Sequence, residues 1–449
     1  MLKTKFEGQL GPGRGGVYNQ FSLGDIITVN HCLGHMPRQS ALAGLLILIG
    51  LGVLGLPVPA HAQLSGSASV STQYESNSNI YAQDSGYTQL GTALPHGSST
   101  SLTYGADVTG DYSWRRQQLY VSARASKFDY EQFSQLNHYE YSLDAGLRWQ
   151  LAEVLNGNVE VSRARSMVPF LDLTGSELSL SQQTNQQESF QAGLKLGSRW
   201  RLDGSATTSK STQPAPGEPD QRMSQTSGTV SLLYAGFGPL TSGITASYLS
   251  GRSDDAIGAP DSTYRQSSAG LTVGYQLKRT SFDGSVTYSS RTSGVQRDNA
   301  SGLTGSVNFV DQLTPKTSFA LHLNRSINTY YVNLGSEIDS EAGLSINWRA
   351  TNKISASLGY TFTYRAYPGQ AVGGSDAYPV DYQQYATLSI SYRPVIWLSI
   401  APYANVQTRR SNVYGHDFDA TSYGVLVTAM VATRDVANAG NAINIGPRK

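Results

Sequence analysis

Residues 139–149 alternate without interruption between apolar and polar side chains, and this alternation is the feature that most constrains the fold. Because successive side chains of a β-strand point to opposite faces, one face of the segment is apolar with aromatic ends, and the other carries charges of both signs. The apolar set is Tyr139, Tyr141, Leu143, Ala145, Leu147 and Trp149. Such a face needs either a second sheet, as in a soluble sandwich, or hydrocarbon, as around a transmembrane barrel.

The same alternation recurs along the chain from residue 65 to about residue 431, as a repeated unit of strand, tight turn, strand and longer polar loop. Counting the segments gives about eighteen strands. Sixteen is the alternative, because residues 65–74 and 395–408 alternate least cleanly. The pattern predicts an all-β fold, an antiparallel transmembrane β-barrel of the outer-membrane type with both ends of the chain in the periplasm. Its longest loops are expected at 75–100, 167–187, 212–225 and 365–381.

A short Ala/Ser-Gly-Leu motif recurs in the strands that lead into tight turns, and an aromatic residue follows each copy. The copies begin at Ala145, Ala192, Ala269, Ser301 and Ala342, with a weaker one at Ala386. Amphipathic rings prefer the membrane–water interface. We therefore predict a periplasmic girdle formed by Trp149, Trp200, Tyr275, Phe309, Trp348 and Tyr392.

Residues 36–62 have the layout of a secretory signal peptide, with Arg38 as the positive region and an apolar stretch over 41–56. A small-residue cleavage site follows at once, and it disfavours the alternative of a transmembrane anchor. The residues of that site are Ala60, Ala62 and Gln63, with Gln63 as the first residue of the mature protein.

The rest of the chain divides into three segments. Residues 1–35 fit no targeting pattern, and we interpret them as an untranslated or dispensable extension upstream of Met36. The barrel is expected over 63–433, and a polar tail over 434–449. The single cysteine, Cys32, lies in the upstream extension, so a mature chain beginning at Gln63 has no thiol for a disulfide or a metal.

Composition supports a barrel and argues against nucleic acid as a partner. The 33 basic residues are balanced by 32 acidic ones, and only 14% of the chain is charged. A hydrophobic content of 39% suits strands of which one face meets water. The predicted location is the outer membrane of a Gram-negative cell, with outer-membrane lipid and lipopolysaccharide as partners.

Charged side chains within the strands are expected in the lumen, because a charge is unfavourable on the lipid face and stable in water. Their mixed signs predict salt bridges and a hydrated, weakly selective interior, although a purely structural role across the strands is equally open. The predicted lumen-lining residues are Asp107, Asp111, Arg124, Glu140, Asp144, Lys195, Asp203, Asp283, Arg291 and Glu341.

No constellation of residues indicates catalysis. His322 lies in mid-strand on a polar face, and we interpret it as a pore-lining side chain rather than a catalytic one. The polar segment 75–84 is interpreted as a solvated loop rather than a calcium site, although its oxygen ligands suit calcium. We therefore predict no enzyme activity, no cofactor and no metal site.

Residues 74–81, Tyr-Glu-Ser-Asn-Ser-Asn-Ile-Tyr, resemble the end of the first strand in the beta-barrel porin 2 family, Tyr-Asp-Asp/Ser-Asn-hydrophobic-aromatic. Glu75 and an extra Ser-Asn pair depart from that pattern. Members are often encoded beside exopolysaccharide or capsule export machinery. The resemblance thus implies a porin-like conduit for exopolysaccharide secretion, with periplasmic export components as partners. A general diffusion porin and a structural or adhesive surface barrel are the alternatives.

Overall fold

The computed structural model describes residues 62–82, 84, 88–89, 92–93, 97–168, 170, 180–214, 220–254, 262–294, 299–329, 336–368, 379–413 and 415–432. Eighteen long strands form one antiparallel sheet. The strands are β1 (Ala62–Asn77), β2 (Ser99–Trp114), β3 (Gln117–Tyr130), β4 (His138–Leu151), β5 (Leu155–Met167), β6 (Gln182–Leu196), β7 (Trp200–Gln213), β8 (Gln221–Phe237), β9 (Leu240–Asp254), β10 (Ser262–Gln276), β11 (Thr280–Ser293), β12 (Ala300–Thr314), β13 (Thr317–Thr329), β14 (Ser336–Arg349), β15 (Ile354–Ala366), β16 (Val380–Val395), β17 (Leu398–Ser411) and β18 (Phe418–Ala432).

The sheet closes on itself, because β1 pairs with β18 on one side and with β2 on the other. The barrel and its eighteen strands are therefore confirmed. The two segments that alternate least cleanly in sequence are both strands, β1 and β17, so the alternative of sixteen is wrong. In the described part of the chain, no helix is long and apolar enough to cross a membrane. The predicted extension 1–35 and tail 434–449 lie outside the described residues, and so does the predicted signal peptide 36–62 apart from Ala62, where β1 begins.

The two ends of the barrel differ in how the strands are connected. At one end, which we call the tight-turn end, short turns join each even-numbered strand to the next. Two of these turns use glycine in the left-handed region, Gly197 at φ 77° and Gly238 at φ 66°, and two place Arg115 and Ala152 there at φ 54°. At the opposite, loop end, longer connections follow the odd-numbered strands. These connections are shorter than the loops predicted from sequence, because the strands extend into them. The loop predicted at 167–187, for example, is a connection over 168–181.

The two faces of the sheet have different chemistry. One face exposes large apolar side chains in register across neighbouring strands, such as Ile244, Leu271 and Val286. The other carries Ser, Thr, Asn, Gln and charges, and it includes buried polar residues such as Ser289 and Asp381. Because a closed sheet crowds side chains on its concave side and spreads them on its convex side, the polar face is the inner one.

Aromatic residues form two belts on the outer face. Tyr104 and Trp114 are ten residues apart on β2, and Tyr139 and Trp149 are ten residues apart on β4. At about 3.3 Å per residue and a tilt of about 40°, this spacing spans about 25 Å, the height of the apolar band of an outer-membrane barrel. The turn-side belt contains the six predicted girdle residues and Trp114. The loop-side belt is formed by Tyr74, Tyr104, Tyr139, Tyr141, Tyr364, Tyr382 and Tyr423.

The glycine of the Ala/Ser-Gly-Leu motif lies on the inner face, between the outward Ala and Leu. At Gly146 the Tyr120 ring lies so close that an added Cβ would be 2.4 Å from its Cζ. At Gly193 the side chains of Arg201 and Asp203 occupy the corresponding space. In these two copies the outward Ala and Leu flank an inner gap that a side chain from a neighbouring strand occupies.

Candidate functional site

The interior of the barrel is the candidate site. Strand register places all ten predicted lumen-lining residues on the inner face, on the side of their strands opposite the large exposed apolar residues. Most of them lie on the wall from β2 to β7: Asp107, Asp111, Arg124, Glu140, Asp144, Lys195 and Asp203. Asp283 and Arg291 lie on β11, and Glu341 lies on β14.

The wall formed by β2–β4 is held by contacts between inward side chains. The Arg124 guanidinium donates a hydrogen bond to Asp107 directly across from it. Arg148 donates to the Gln118 side chain at 3.1 Å, and Gln118 donates in turn to Asp111 at 2.9 Å. The Arg148 guanidinium also lies 4.3 Å above the centre of the Tyr120 ring. The inner wall is thus cross-linked over three strands by polar contacts.

A cavity of about 800 Å³ opens from the wall at the tight-turn end. Asp203 is the carboxylate in its lining, and it accepts a hydrogen bond of 2.6 Å from Arg201. Lys195 stands opposite Arg201 in register. The cations and amides of the lining are Arg115, Arg116, Arg148, Arg201, Gln117, Gln118, Gln150, Asn156, Asn158 and Gln191. Guanidinium and amide groups of this kind donate hydrogen bonds to anions and to sugar oxygens.

A second charged cluster lies at the loop end of β14–β17. The Arg365 Nε atom is 2.9 Å from a Glu337 carboxylate oxygen and 3.0 Å from one of Asp339. The Arg409 Nη2 atom is 2.6 Å from Asp381 Oδ2, in a pair that is almost completely buried. Three carboxylates therefore meet two guanidinium groups, and the loop end of this wall is acidic.

Tyr367, in the loop after β15, completes this cluster. Its hydroxyl donates to Asp381 at 3.1 Å. Burial raises the pKa of Tyr367, so the hydroxyl remains a proton donor at neutral pH. The cluster was not predicted from sequence, because residues 365–381 were expected to form a loop, whereas Arg365 and Asp381 both belong to strands. The inner face carries charged residues of both signs, as predicted from sequence, but they are unevenly distributed. Cations are concentrated at the tight-turn end, and carboxylates at the loop end.

The closure seam carries a contact that reaches across a whole strand. The Tyr403 hydroxyl on β17 donates to Glu75 on β1 at 2.5 Å, and Gln73 donates to Tyr403 at 2.7 Å. Between them lies Gly424 of β18, where an added Cβ would be 2.6 Å from the Tyr403 hydroxyl oxygen. Glycine at this position lets Tyr403 cross β18 and bind β1.

The residues considered for catalysis or calcium have ordinary polar contacts. His322 Nδ1 is 2.7 Å from the Asn308 side-chain oxygen, and His322 Nε2 is 3.8 Å from Glu341. The Asn77 side chain accepts a hydrogen bond from the Asn79 backbone N–H at 2.9 Å. Among the residues that the structure describes, no group of three or more His, Cys, Asp or Glu side chains could hold a metal ion.

The wall formed by β8–β12 is nearly neutral. Its inner face has two charged residues, Asp283 and Arg291, and the Arg291 guanidinium lies 3.9 Å above the Tyr264 ring. Hydroxyl groups form a chain across β10–β12, with oxygen–oxygen distances of 2.7 Å for Ser268–Ser289, 2.6 Å for Ser289–Thr304 and 2.7 Å for Thr287–Thr304. This wall presents exchangeable neutral donors and acceptors to the interior.

No family model and no curated protein matches the chain. Three similar solved structures come from Pseudomonas aeruginosa. OccK5 (OpdH) is 10% identical, with a TM-score of 0.43, over 83% of this chain and 98% of that chain. OpdO is 14% identical, with a TM-score of 0.43, over 82% and 97%. The ferric enterobactin receptor PfeA is 8% identical, with a TM-score of 0.46, over 83% and 82%. The fold assignment rests on the strand pairing of this chain itself.

Proposed function

We propose that the chain forms a water-filled channel across the outer membrane of a Gram-negative bacterium. The observation that carries this proposal is the closure of eighteen strands around a polar inner face. Barrels of 16–18 strands are too wide for their own strand side chains to fill, and porins of this size leave an aqueous lumen. The apolar outer band, about 25 Å high between its two aromatic belts, supports a membrane location.

The cargo that the interior suits best is a hydrophilic molecule that slides along hydroxyl and amide groups. The neutral wall of β8–β12 offers many weak hydrogen bonds, and conduction requires that no single site retain the cargo. We propose a secreted polysaccharide as this cargo. The resemblance of residues 74–81 to the beta-barrel porin 2 family motivates that choice, although no family model matches. General diffusion of small hydrophilic solutes is the alternative. In either case the role is transport and not catalysis.

The channel is tested by inserting the purified, folded protein into planar lipid bilayers. Discrete conductance steps are expected, whereas a sample unfolded by heating should give none. Folded protein that inserts and conducts no ions would contradict the proposal.

Cargo is tested separately in cells. An in-frame deletion should abolish surface glycan while polymer synthesis and small-solute uptake continue. Unchanged surface glycan together with lost small-solute permeability would establish the diffusion-porin alternative instead.

We further propose that the signal peptide is removed before Gln63 and that residues 1–35 are dispensable. N-terminal sequencing of the protein from outer-membrane fractions tests both points. A mature protein that begins at Met1 or Leu2 would contradict them.

A further inference from the structure

A row of cationic side chains crosses the outer face of the barrel near the loop end. Arg163 on β5 is in register with Gln186 on β6, and Gln186 is in register with Lys210 on β7. The row continues through Ser224 on β8 to Arg252 on β9. Because adjacent strands lie about 4.8 Å apart, successive cations in this row are about 10 Å apart. Cation and neutral residue therefore alternate from β5 to β9.

Three more cations enlarge the row into a patch. Arg165 is the next outward residue after Arg163 on β5, on the side of the loop end. Arg222 is likewise the next outward residue beyond Ser224 on β8. Arg265 on β10 is in register with the outward Ser250 of β9. All of these side chains are exposed. We call the set of six the basic patch: Arg163, Arg165, Lys210, Arg222, Arg252 and Arg265.

Among the residues that the structure describes, the acidic ones near the basic patch are fewer than its cations. Glu188 accepts a hydrogen bond of 3.2 Å from Gln186. Asp220 lies 3.6 Å from the Arg222 guanidinium, and Asp254 is opposite Arg222 in register. Arg163, Arg165 and Lys210 form no ion pair with any residue that the structure describes.

The height of the patch coincides with the loop-side aromatic belt. Lys210 is ten residues from Trp200 on β7, and Arg265 is ten residues from Tyr275 on β10. This is the spacing that separates Tyr104 from Trp114 on β2. On β7 and β10 a cation thus stands where β2 has a tyrosine, at the level of the lipid headgroups.

Two other outward cations near the loop end are paired with neighbouring carboxylates. The Lys127 ammonium is 2.6 Å from Asp129, and the Arg410 guanidinium is 2.8 Å from Asp419. A charge on the lipid face is unfavourable unless it reaches the interface and finds a counter-charge. For Arg163, Arg165 and Lys210, the residues that the structure describes supply no such counter-charge.

We propose that the basic patch binds the phosphorylated headgroup of an outer-leaflet glycolipid, the chemistry of lipopolysaccharide. This inference rests on the outer-membrane location proposed above. One guanidinium group can donate two parallel hydrogen bonds to two oxygens of the same phosphate. Cations about 10 Å apart therefore suit a headgroup that carries more than one phosphate. The neutral Gln and Ser residues between the cations offer further hydrogen bonds to sugar oxygens.

The test measures binding of fluorescently labelled rough lipopolysaccharide to the full-length protein folded in neutral detergent. The patch variant combines Arg163→Gln, Arg165→Gln and Lys210→Gln. The matched control combines Lys278→Gln, Arg279→Gln and Lys353→Gln, which removes the same charge from the tight-turn end. Because each cation near an anionic surface strengthens binding about 5-fold, the patch variant should bind about 100-fold more weakly, and the control should bind like the natural protein.

Two further arms define the ligand. Dephosphorylated lipopolysaccharide should bind as weakly as the patch variant binds the intact lipid, and inorganic phosphate at an equal phosphate concentration should not compete. Equal binding with and without lipid phosphates, competition by free phosphate, or an equal loss in patch variant and control would each overturn the proposal. Heat-modifiable migration on gels verifies that each variant is folded.

Conductance of the same preparations separates this proposal from the channel. A patch variant that conducts normally and binds lipopolysaccharide weakly supports the lipid site. Normal conductance with unchanged binding overturns the lipid site alone. Phosphate-dependent binding by a protein that never conducts would support the site and overturn only the channel.

Discussion

The inner and outer faces of this barrel are built from adjacent residues, yet different forces stabilise them. Leu271 on β10 is 66% exposed on the outer face, where lipid is its solvent. Its neighbour Thr272 points inward and donates a hydrogen bond to the Gly284 carbonyl at 3.2 Å. Apolar burial in the bilayer stabilises the outer face, whereas hydrogen bonds and ion pairs stabilise the inner one. Strand alternation lets a single sheet separate two solvents.

The largest loss of stability is expected at the ion pair of the inner face that is buried away from water, Arg409 with Asp381. Arg409→Ala leaves the buried Asp381 carboxylate without its ion pair and should reduce the free energy of unfolding by about 3–5 kcal/mol. Arg124→Ala is the matched control, because its guanidinium is 59% exposed and its loss should cost less than about 1 kcal/mol. Urea unfolding in lipid vesicles measures both. Equal losses would mean that the Arg409 pair is solvated.

The second largest loss of stability is expected when a charge is introduced on the outer face. Leu271→Arg should reduce stability by about 2–4 kcal/mol if residue 271 lies near the bilayer midplane, because the guanidinium then faces hydrocarbon. Thr272→Arg should be tolerated, because it faces water. Heat-modifiable migration after refolding reports assembly of both variants. Equal tolerance of arginine at the two positions would contradict the assignment of faces.

The turn-side belt predicts a smaller, pairwise effect. The rings of Trp200 and Tyr234 lie 4.8 Å apart at 56° on the outer face. A double-mutant cycle with Trp200→Ala and Tyr234→Ala should give a coupling of about 0.5–1.5 kcal/mol. The corresponding cycle between Trp200 and Trp348, which lie on β7 and β14, should give none. Coupling in the second cycle would show that the alanine variants perturb the whole barrel.

The smallest effect is expected from pH at the loop between β17 and β18. Burial, with the nearby Arg409, lowers the pKa of His416 from its ordinary value of 6.5. The unfolded chain therefore takes up this proton first, and the loop should become less stable as the pH falls below 6.5. Hydrogen exchange of residues 412–417 should accelerate at pH 5.5 relative to the intrinsic rate. His416→Asn should remove this dependence, and a dependence that persists in this variant would show that His416 is not its source.

Local pattern was sufficient for most of the fold. Strand positions, the alternation of faces and the girdle depend on neighbouring residues, and even the irregular segments of β1 and β17 obey the period of two. Contacts between distant segments could not be read in the same way. The bond between Tyr403 and Glu75 depends on barrel closure, and the cluster around Asp381 lies where a strand passes into a loop.

Charge was a reliable guide only in the middle of the strands. Near the middle of the strands, where a lipid-facing charge is most unfavourable, the charged residues Asp107 and Asp144 lie on the inner face. Near the loop end the penalty falls, because side chains reach the headgroups there. Arg163, Arg165 and Lys210 accordingly lie on the outer face. Distance from the bilayer centre, which alternation does not report, decides where a charge is stable.

Cysteine accessibility along one strand tests the central claim, that the inner face is lined by water and the outer face by lipid. The single cysteine of the sequence is Cys32, and with Cys32→Ser as the background each cysteine introduced on β15 is the only thiol. In protein inserted into lipid vesicles, a water-soluble maleimide should label the inward positions and lower the conductance. These positions are Ser357, Gly359, Thr361 and Thr363. The outward positions Leu358, Tyr360 and Phe362 should remain unlabelled. Uniform labelling, or labelling of the outward set alone, would contradict the account.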